Sequence, residues 1–266
     1  MIDMQKTDIL GIPVFTGPLG HAINYVIEQC IAPTREMNLR ISATGAHGLV
    51  TARKSPEFRD ALKSCFLNLP DGMPGVWVGR LKGHKQMERC YGPDFFEAVI
   101  KRSAQHPVNH FFCGGKPGIA EELKTVCERS MQNTRVAGTF SPPFGDMTDA
   151  GLRELGARVT AGNSHILWIG LSTPKQELFA RRIADFVSVR FIITVGAAFD
   201  FFTGNVIQAP RFIQRSGLEW LFRLCIEPKR LFSRYVRIVP QFILFNLIEL
   251  IIPSHYNKNK RSADVF

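Results

Sequence analysis

Residues 165–187 read HILWIGLSTPKQELFARRIADFV. A run of mostly apolar residues gives way to Ser172-Thr173-Pro174, after which apolar positions recur at helical spacing among charged ones. This is the pattern of a strand, a turn and a helix. The apolar run does not alternate with polar residues, so the strand is expected to be covered on both faces, as in a parallel sheet. The same unit repeats outward in both directions: "ILGIPVF" before "GHAINYVIEQCI", "LRISAT" before "HGLVTARKSPEFRDALKSC", "NHFFCGG" before "KPGIAEELKTVCERSMQ", "RVAGTF" before "TDAGLRELGARVTA", and then "RFIITVGAAFDFF". The expectation is an α/β fold, a Rossmann-like, mainly parallel sheet flanked by helices, over residues 1–208.

Sheets of this kind bind ligands at the carboxyl ends of their strands. Asp71 follows "FLNLP", Gly114-Gly115-Lys116 follows "NHFFC", and Gln176 and Glu177 follow "HILWIGL". Parallel strands would put all of them on one rim, with Asp71 beside the glycine loop. Pro-Asp-Gly at 70–72 is also an ordinary turn sequence, because Pro fixes φ, Asp bonds nearby backbone and Gly accepts positive φ. "CGGKPG" admits a phosphate loop or a plain strand-to-helix turn with Pro117 opening the helix. It is neither G-x-x-x-x-G-K-[ST] nor G-x-G-x-x-G.

Near Ala209 the character changes, and residues 209–266 are expected to form a helical, basic and apolar appendage. Between Val206 and Ser262 stand ten Lys/Arg against three Glu, out of a whole-chain charge of +10. So concentrated a basic surface attracts nucleic acid, anionic lipid or phosphorylated substrates. From Ile238 to Ile252 charge almost vanishes. Fifteen helical residues would reach only about 22 Å, short of a hydrocarbon core of about 30 Å, and Pro240 and Glu249 weaken a span further. An in-plane membrane anchor is the expectation, and a helix packed on the core or on another subunit is the alternative.

The six cysteines form no C-x-x-C pair and "MIDMQKTDILGIPVF" has no signal-peptide core. A reducing, cytoplasmic setting is expected, with each cysteine a small buried hydrophobe. No H-E-x-x-H, D-x-D or clustered His/Asp set points to a metal, and no G-x-S-x-G or Cys/His match points to a hydrolase. His47 and His165 border apolar runs and are read first as hydrogen-bonded structural histidines, with a catalytic base as the lesser alternative. Loop-borne polar residues remain: Asp71, Arg89, Asp94, Lys116, Gln176, Glu177 and Asp200, of which Asp94 and Asp200 could be helix or turn caps.

Taken in order, "SPEFRDAL", "LPDGMPGVWVGR", "ERCYGPDFFEAV", "FFCGGKPGIAEEL", "LWIGLSTPKQE" and "TVGAAFDFFTGNVIQAPRFIQRSGLEWLFRLCIEPKRLFSRY" resemble the WecG/TagA/CpsF glycosyltransferases, glycosyltransferase family twenty-six. The resemblance implies an inverting, metal-independent transfer of a hexose-type sugar from a UDP-sugar to a polyprenyl-diphosphate-linked sugar, in bacterial exopolysaccharide or other cell-surface glycan synthesis. It implies no cofactor, a peripheral position on the inner face of the cell membrane, and a core that self-associates. Asp71 then takes the place of the general base, and Arg89 and Gln176 line the site. Asp94, Gly114, Gly115, Lys116, Glu177 and Asp200 join them as substrate-binding candidates, and Arg211, Arg215, Arg223, Arg230 and Arg234 as candidates for the lipid diphosphate and membrane. Many relatives carry T-x-N after the second strand where this chain has "SATGAHG". Ala43 and Gly45 fall near the Thr and Asn positions, and those roles pass to Thr44 and His47. The competing reading is a basic nucleic-acid-binding α/β protein without enzymatic activity. It conflicts with so apolar a tail and lacks a recognition motif, so no nucleic-acid partner is expected.

Overall fold

A computed structural model describes residues 4–33 and 36–251, apart from the side chain of Arg215. The first apolar run forms an antiparallel hairpin, β1 (Lys6–Ile9) and β2 (Ile12–Phe15), standing apart from the main sheet. Leu10 and Gly11 turn it at φ of 55° and 82°. One strand was expected there; the Leu-Gly turn divides the run into two. After α1 (Leu19–Ile31) come β3 (Leu39–Thr44), α2 (Ala46–Lys54), α3 (Pro56–Lys63), β4 (Leu67–Pro70), α4 (Met73–Leu81) and α5 (Gly92–Ser103). The stretch read as one helix breaks between α2 and α3, because Pro56 cannot supply the N–H that continuation needs, and Ser55 Oγ caps the new helix at Phe58 N–H.

The chain continues through β5 (His110–Gly114), α6 (Ile119–Ser130), β6 (Val136–Phe140), α7 (Asp149–Ala161), β7 (Ile166–Gly170), α8 (Lys175–Ile183), β8 (Phe191–Thr194) and α9 (Ala198–Phe202). The six strands pair in the order β4-β3-β8-β7-β5-β6, all parallel. Successive residues of β7 serve opposite layers. Ile166 and Trp168 pack with α1, α5 and α6, while Leu167 and Ile169 pack with α7 and α8. That two-sided burial is why the strand has no polar alternation.

The C-terminal segment is α10 (Arg211–Ser216), α11 (Glu219–Ile226) and α12 (Pro228–Ile251). Here the reading from sequence changes. The expected helix of fifteen residues is the second part of a 24-residue helix that continues through Pro240. At 1.5 Å per residue it is about 36 Å long, enough by length and composition to cross a membrane. Ile238 and Phe242 are buried in a cluster shared with the hairpin, α2, α3 and α4, so one face of α12 belongs to the core. Residues 252–266, with the last three basic residues of the appendage, lie outside the described residues. Of the cysteines, Cys65 is partly exposed and Cys225 exposed; the other four are buried as expected.

Candidate active site

Parallel pairing puts the ends of β4, β3, β8, β7 and β5 on one rim, with Asp71 first and Gly114 last. Three strands separate the ends of β4 and β5, roughly 19 Å at about 4.8 Å per strand step. Asp71 and the glycine loop therefore share a rim but are not adjacent, which corrects the expectation of side-by-side placement. The chain order hides this because β8, near the end of the core, inserts between β3 and β7.

Asp71 is held tightly for a turn residue. Its N–H donates to Thr44 O (3.3 Å), and its Oδ1 accepts the N–H of Gly92 (2.7 Å), the first residue of α5. Gly92 is needed for that approach: a Cβ there would lie 3.1 Å from both Ala43 Cβ and Val195 O. Oδ2 points toward Gly45 and makes no hydrogen bond among the described residues; a Cβ on Gly45 would stand 3.9 Å in front of it. Burial raises the pKa of Asp71 above the usual carboxylate range, the Gly92 N–H and Arg89 opposing, with Glu219 raising it and Arg223 lowering it.

Arg89 ties this corner to the appendage. Its Nε donates to Asp71 O (3.1 Å), Nη1 to Gln214 O (3.1 Å) and Nη2 to Glu219 Oε2 (2.5 Å). Its guanidinium stacks 3.9 Å over the Tyr91 ring, and the Tyr91 hydroxyl donates to Glu219 Oε1 (2.7 Å). Tyr91 and Glu219 were not singled out in the sequence. Glu219 is far from Asp71 in the chain and its helix belongs to the appendage, so no local pattern could find it.

Asp71, Gly45, His47, Arg89, Tyr91, Glu219 and Arg223 form the polar end of a cleft of about 650 Å³. Its walls are Trp77, Val78 and Leu81 of α4, facing Val239, Ile243 and Leu247 of α12. His47 is held neutral, its pKa lowered to about 4 by burial and by Arg234. Thr44 does not open into the cleft. It is buried with its Oγ1 2.9 Å from Ser42 Oγ, leaving the space before Asp71 to Gly45 and His47.

Gln176 and Glu177 lie beneath the rim, 1% and 3% exposed. Gln176 Oε1 accepts the Gly196 N–H (3.0 Å), while its Nε2 donates to Glu177 Oε1 (2.9 Å). Thr173 and Ser42 hydroxyls also donate to that oxygen. These contacts fix the loops after β7, β3 and β8 relative to each other. Neither side chain lines the cleft.

At the far end of the rim, Gly114 and Gly115 have φ of 150° and 72°, and a Cβ on Gly114 would fall 2.4 Å from Gly170 O. Only glycine lets the β5 and β7 loops close so tightly. Lys116 is exposed beside them and acts electrostatically on Asp200, whose pKa burial raises and Arg230 and Lys116 lower. Phe144, fully exposed in the loop after β6, has Lys175 Nζ 5.1 Å from its ring centre.

The appendage joins the two ends of the rim. Arg223 acts on Asp71, Arg234 on His47 and Arg230 on Asp200. Burial lowers the pKa of Arg234, and Arg230 and Arg223 lower it further. Glu227 pairs with Arg230 (2.7 Å) and lies 4.0 Å from Arg223, whose buried Nε has no hydrogen-bond partner among the described residues. Asp94 and Arg211 lie elsewhere. They line a second cavity of about 780 Å³ that shares only Met73, Arg89 and Gln214 with the first. Arg215 lies in α10, with its side chain outside the described residues. Among the described residues, no three His, Cys, Asp or Glu are grouped to hold a metal ion.

A parallel α/β sheet whose carboxyl rim presents a held carboxylate, in a cleft that Arg89 and Arg223 also line, defines a Rossmann-like fold with a cleft at its edge. Residues 7–255 match the sequence model of the glycosyl transferase WecG/TagA/CpsF family, and the chain belongs to that family. It is accordingly a glycosyltransferase of cell-surface glycan synthesis.

Proposed function

We propose that this transferase moves a hexose-type sugar from a UDP-sugar to a polyprenyl-diphosphate-linked sugar, with inversion and without a metal, at the inner face of the cell membrane. The observation that carries the reading is the set Arg223, Arg234 and Arg230, which act electrostatically on one another and on Asp71, His47 and Asp200. Glu227 is shared by Arg230 and Arg223, and Arg234 forms no ion pair among the described residues, so the group favours an added polyanion. A diphosphate supplies that charge, and guanidinium groups can hold it bidentately where a divalent cation would otherwise be needed.

In the reaction, the acceptor hydroxyl lies against Asp71 Oδ2, the oxygen left free once Gly92 holds Oδ1. The hydroxyl oxygen attacks the anomeric carbon from the face opposite UDP, its proton passes to Asp71, and the bond to the β-phosphate oxygen breaks. One carboxylate suffices for such a displacement, and the configuration inverts. The departing charge is taken up by the arginines nearest Asp71 and His47, Arg223 and Arg234. The neutral His47 provides hydrogen bonding beside Asp71 without adding a second cation. The cleft changes from polar at Asp71 to apolar between α4 and α12, which suits an acceptor with a charged head and a lipid tail.

Thermal unfolding with a panel of UDP-sugars tests the reading. One UDP-sugar should raise the Tm saturably, and Arg234→Ala should lose most of the shift. Equal shifts from every nucleotide diphosphate, unchanged by Arg234→Ala, would contradict it.

A further inference from the structure

Glu249 is the only charged residue between Ile238 and Ile251. Both its oxygens are used by the core: Oε1 is 2.6 Å from Lys82 Nζ, and Oε2 accepts the Leu10 N–H at 2.9 Å. Lys82 Nζ also donates to Asp8 O at 2.6 Å, so one lysine joins the end of α4, the β1–β2 turn and α12. The Glu249 and Lys82 side chains are only 19% and 18% exposed. The turn supplies a spare donor because Leu10, at φ 55°, lies beyond the last strand pair, Ile9 with Ile12.

The position matters because of how α12 is otherwise held. Its buried residues are Leu231, Ile238, Phe242 and Asn246, and none follows Asn246. Further back, Lys54 Nζ donates to Gln241 Oε1 (2.8 Å) and Arg53 stacks 4.7 Å from the Phe245 ring centre. Beyond Asn246 the contact with Lys82 and Leu10 takes over. Leu81, next to Lys82, and Leu250, next to Glu249, both line the apolar end of the cleft.

We propose that Glu249, Lys82 and the Leu10 N–H form a clasp that holds the end of α12 against α4 and sets the width of the apolar mouth of the cleft. Glu249 is thus a positioning residue in an otherwise uncharged helical stretch. The clasp itself follows from these contacts; its effect on the lipid-linked acceptor rests on the transferase reading above.

Hydrogen–deuterium exchange on the full chain, followed by mass spectrometry, tests it without substrate. In Glu249→Gln and in Lys82→Met, amides in the last two turns of α12 should exchange about tenfold faster or more, the size expected for loss of a charge-assisted bond. Amides of β7 should be unchanged, and Lys82→Arg should keep most of the protection. In transfer assays Lys82→Met should raise the apparent KM for lipid-linked acceptor severalfold while kcat holds. Wild-type exchange at the end of α12 in both variants would overturn the clasp, as would a rise spread equally over α12 and β7. If transfer were absent with every UDP-sugar while α12 alone lost protection, the clasp would stand and the transferase reading would fall.

Discussion

Asp71 is a carboxylate whose ionised form the fold partly resists. Because burial raises its pKa, the folded state takes up a proton more readily than the unfolded chain. Stability from this group therefore falls as pH rises from the ordinary carboxylate range through the raised value, and the full cost is present above it. Asp71→Asn keeps an oxygen to accept the Gly92 N–H and removes that cost, so its Tm at neutral pH should match or exceed the wild type. A clearly lower Tm would mean the charge is structural. The same shift predicts the pH profile of transfer: the acid limb of kcat/KM should lie above about 4, the ordinary carboxylate value. A limb at or below that value would exclude Asp71 as the group that must be ionised. At this scale Pro70-Asp71-Gly72 was legible as a turn able to hold a carboxylate. The partners were not, since Gly92, Glu219 and Arg223 reach Asp71 only through the packing of α5 and α11.

The element that departs most from its sequence pattern is α12. Loss of charge after Arg237 suggested a short helix, yet the helix begins at Pro228 and includes Arg230 and Arg234 before its apolar half starts. One face packs on the core. Another exposes Leu244, Ile248 and Ile251, a stripe at helical spacing outside the cleft. Lys229, Arg230 and Arg237 stand exposed near its start. Basic residues next to an apolar stripe suit a helix lying in the surface of an anionic bilayer, and a face already spent on the core argues against crossing it. Leu244→Glu combined with Ile248→Glu should sharply reduce co-sedimentation with vesicles rich in phosphatidylglycerol, with the Tm nearly unchanged because both side chains are exposed. Undiminished co-sedimentation would count against α12 as the anchor.

For the molecule as a whole, the strand-and-helix units were readable because a strand covered on both faces is largely apolar, and β5, β7 and β8 are buried along their whole length with only His110 and Thr194 polar. The order of those strands was not readable. Apolarity says that a strand is central but not which neighbour it takes, and the insertion of β8 between β3 and β7 separates Asp71 from the glycine loop. What connects them is the appendage, whose arginines act on Asp71 at one end and Asp200 at the other. The sequence offered those arginines as a basic tail, with nothing local to say that they faced the rim. In the resulting account the core supplies the carboxylate and the loops, while α11 and α12 supply the cations and one wall of the cleft. The most direct measurement is transfer of labelled sugar from the stabilising UDP-sugar to a polyprenyl-diphosphate-linked acceptor, with excess EDTA, for wild type and Asp71→Asn. The account predicts undiminished wild-type turnover, a product of inverted anomeric configuration, and a loss of about 10²–10⁴-fold in Asp71→Asn. Near-normal turnover by Asp71→Asn, or wild-type turnover abolished by EDTA and restored by a divalent cation, would contradict it.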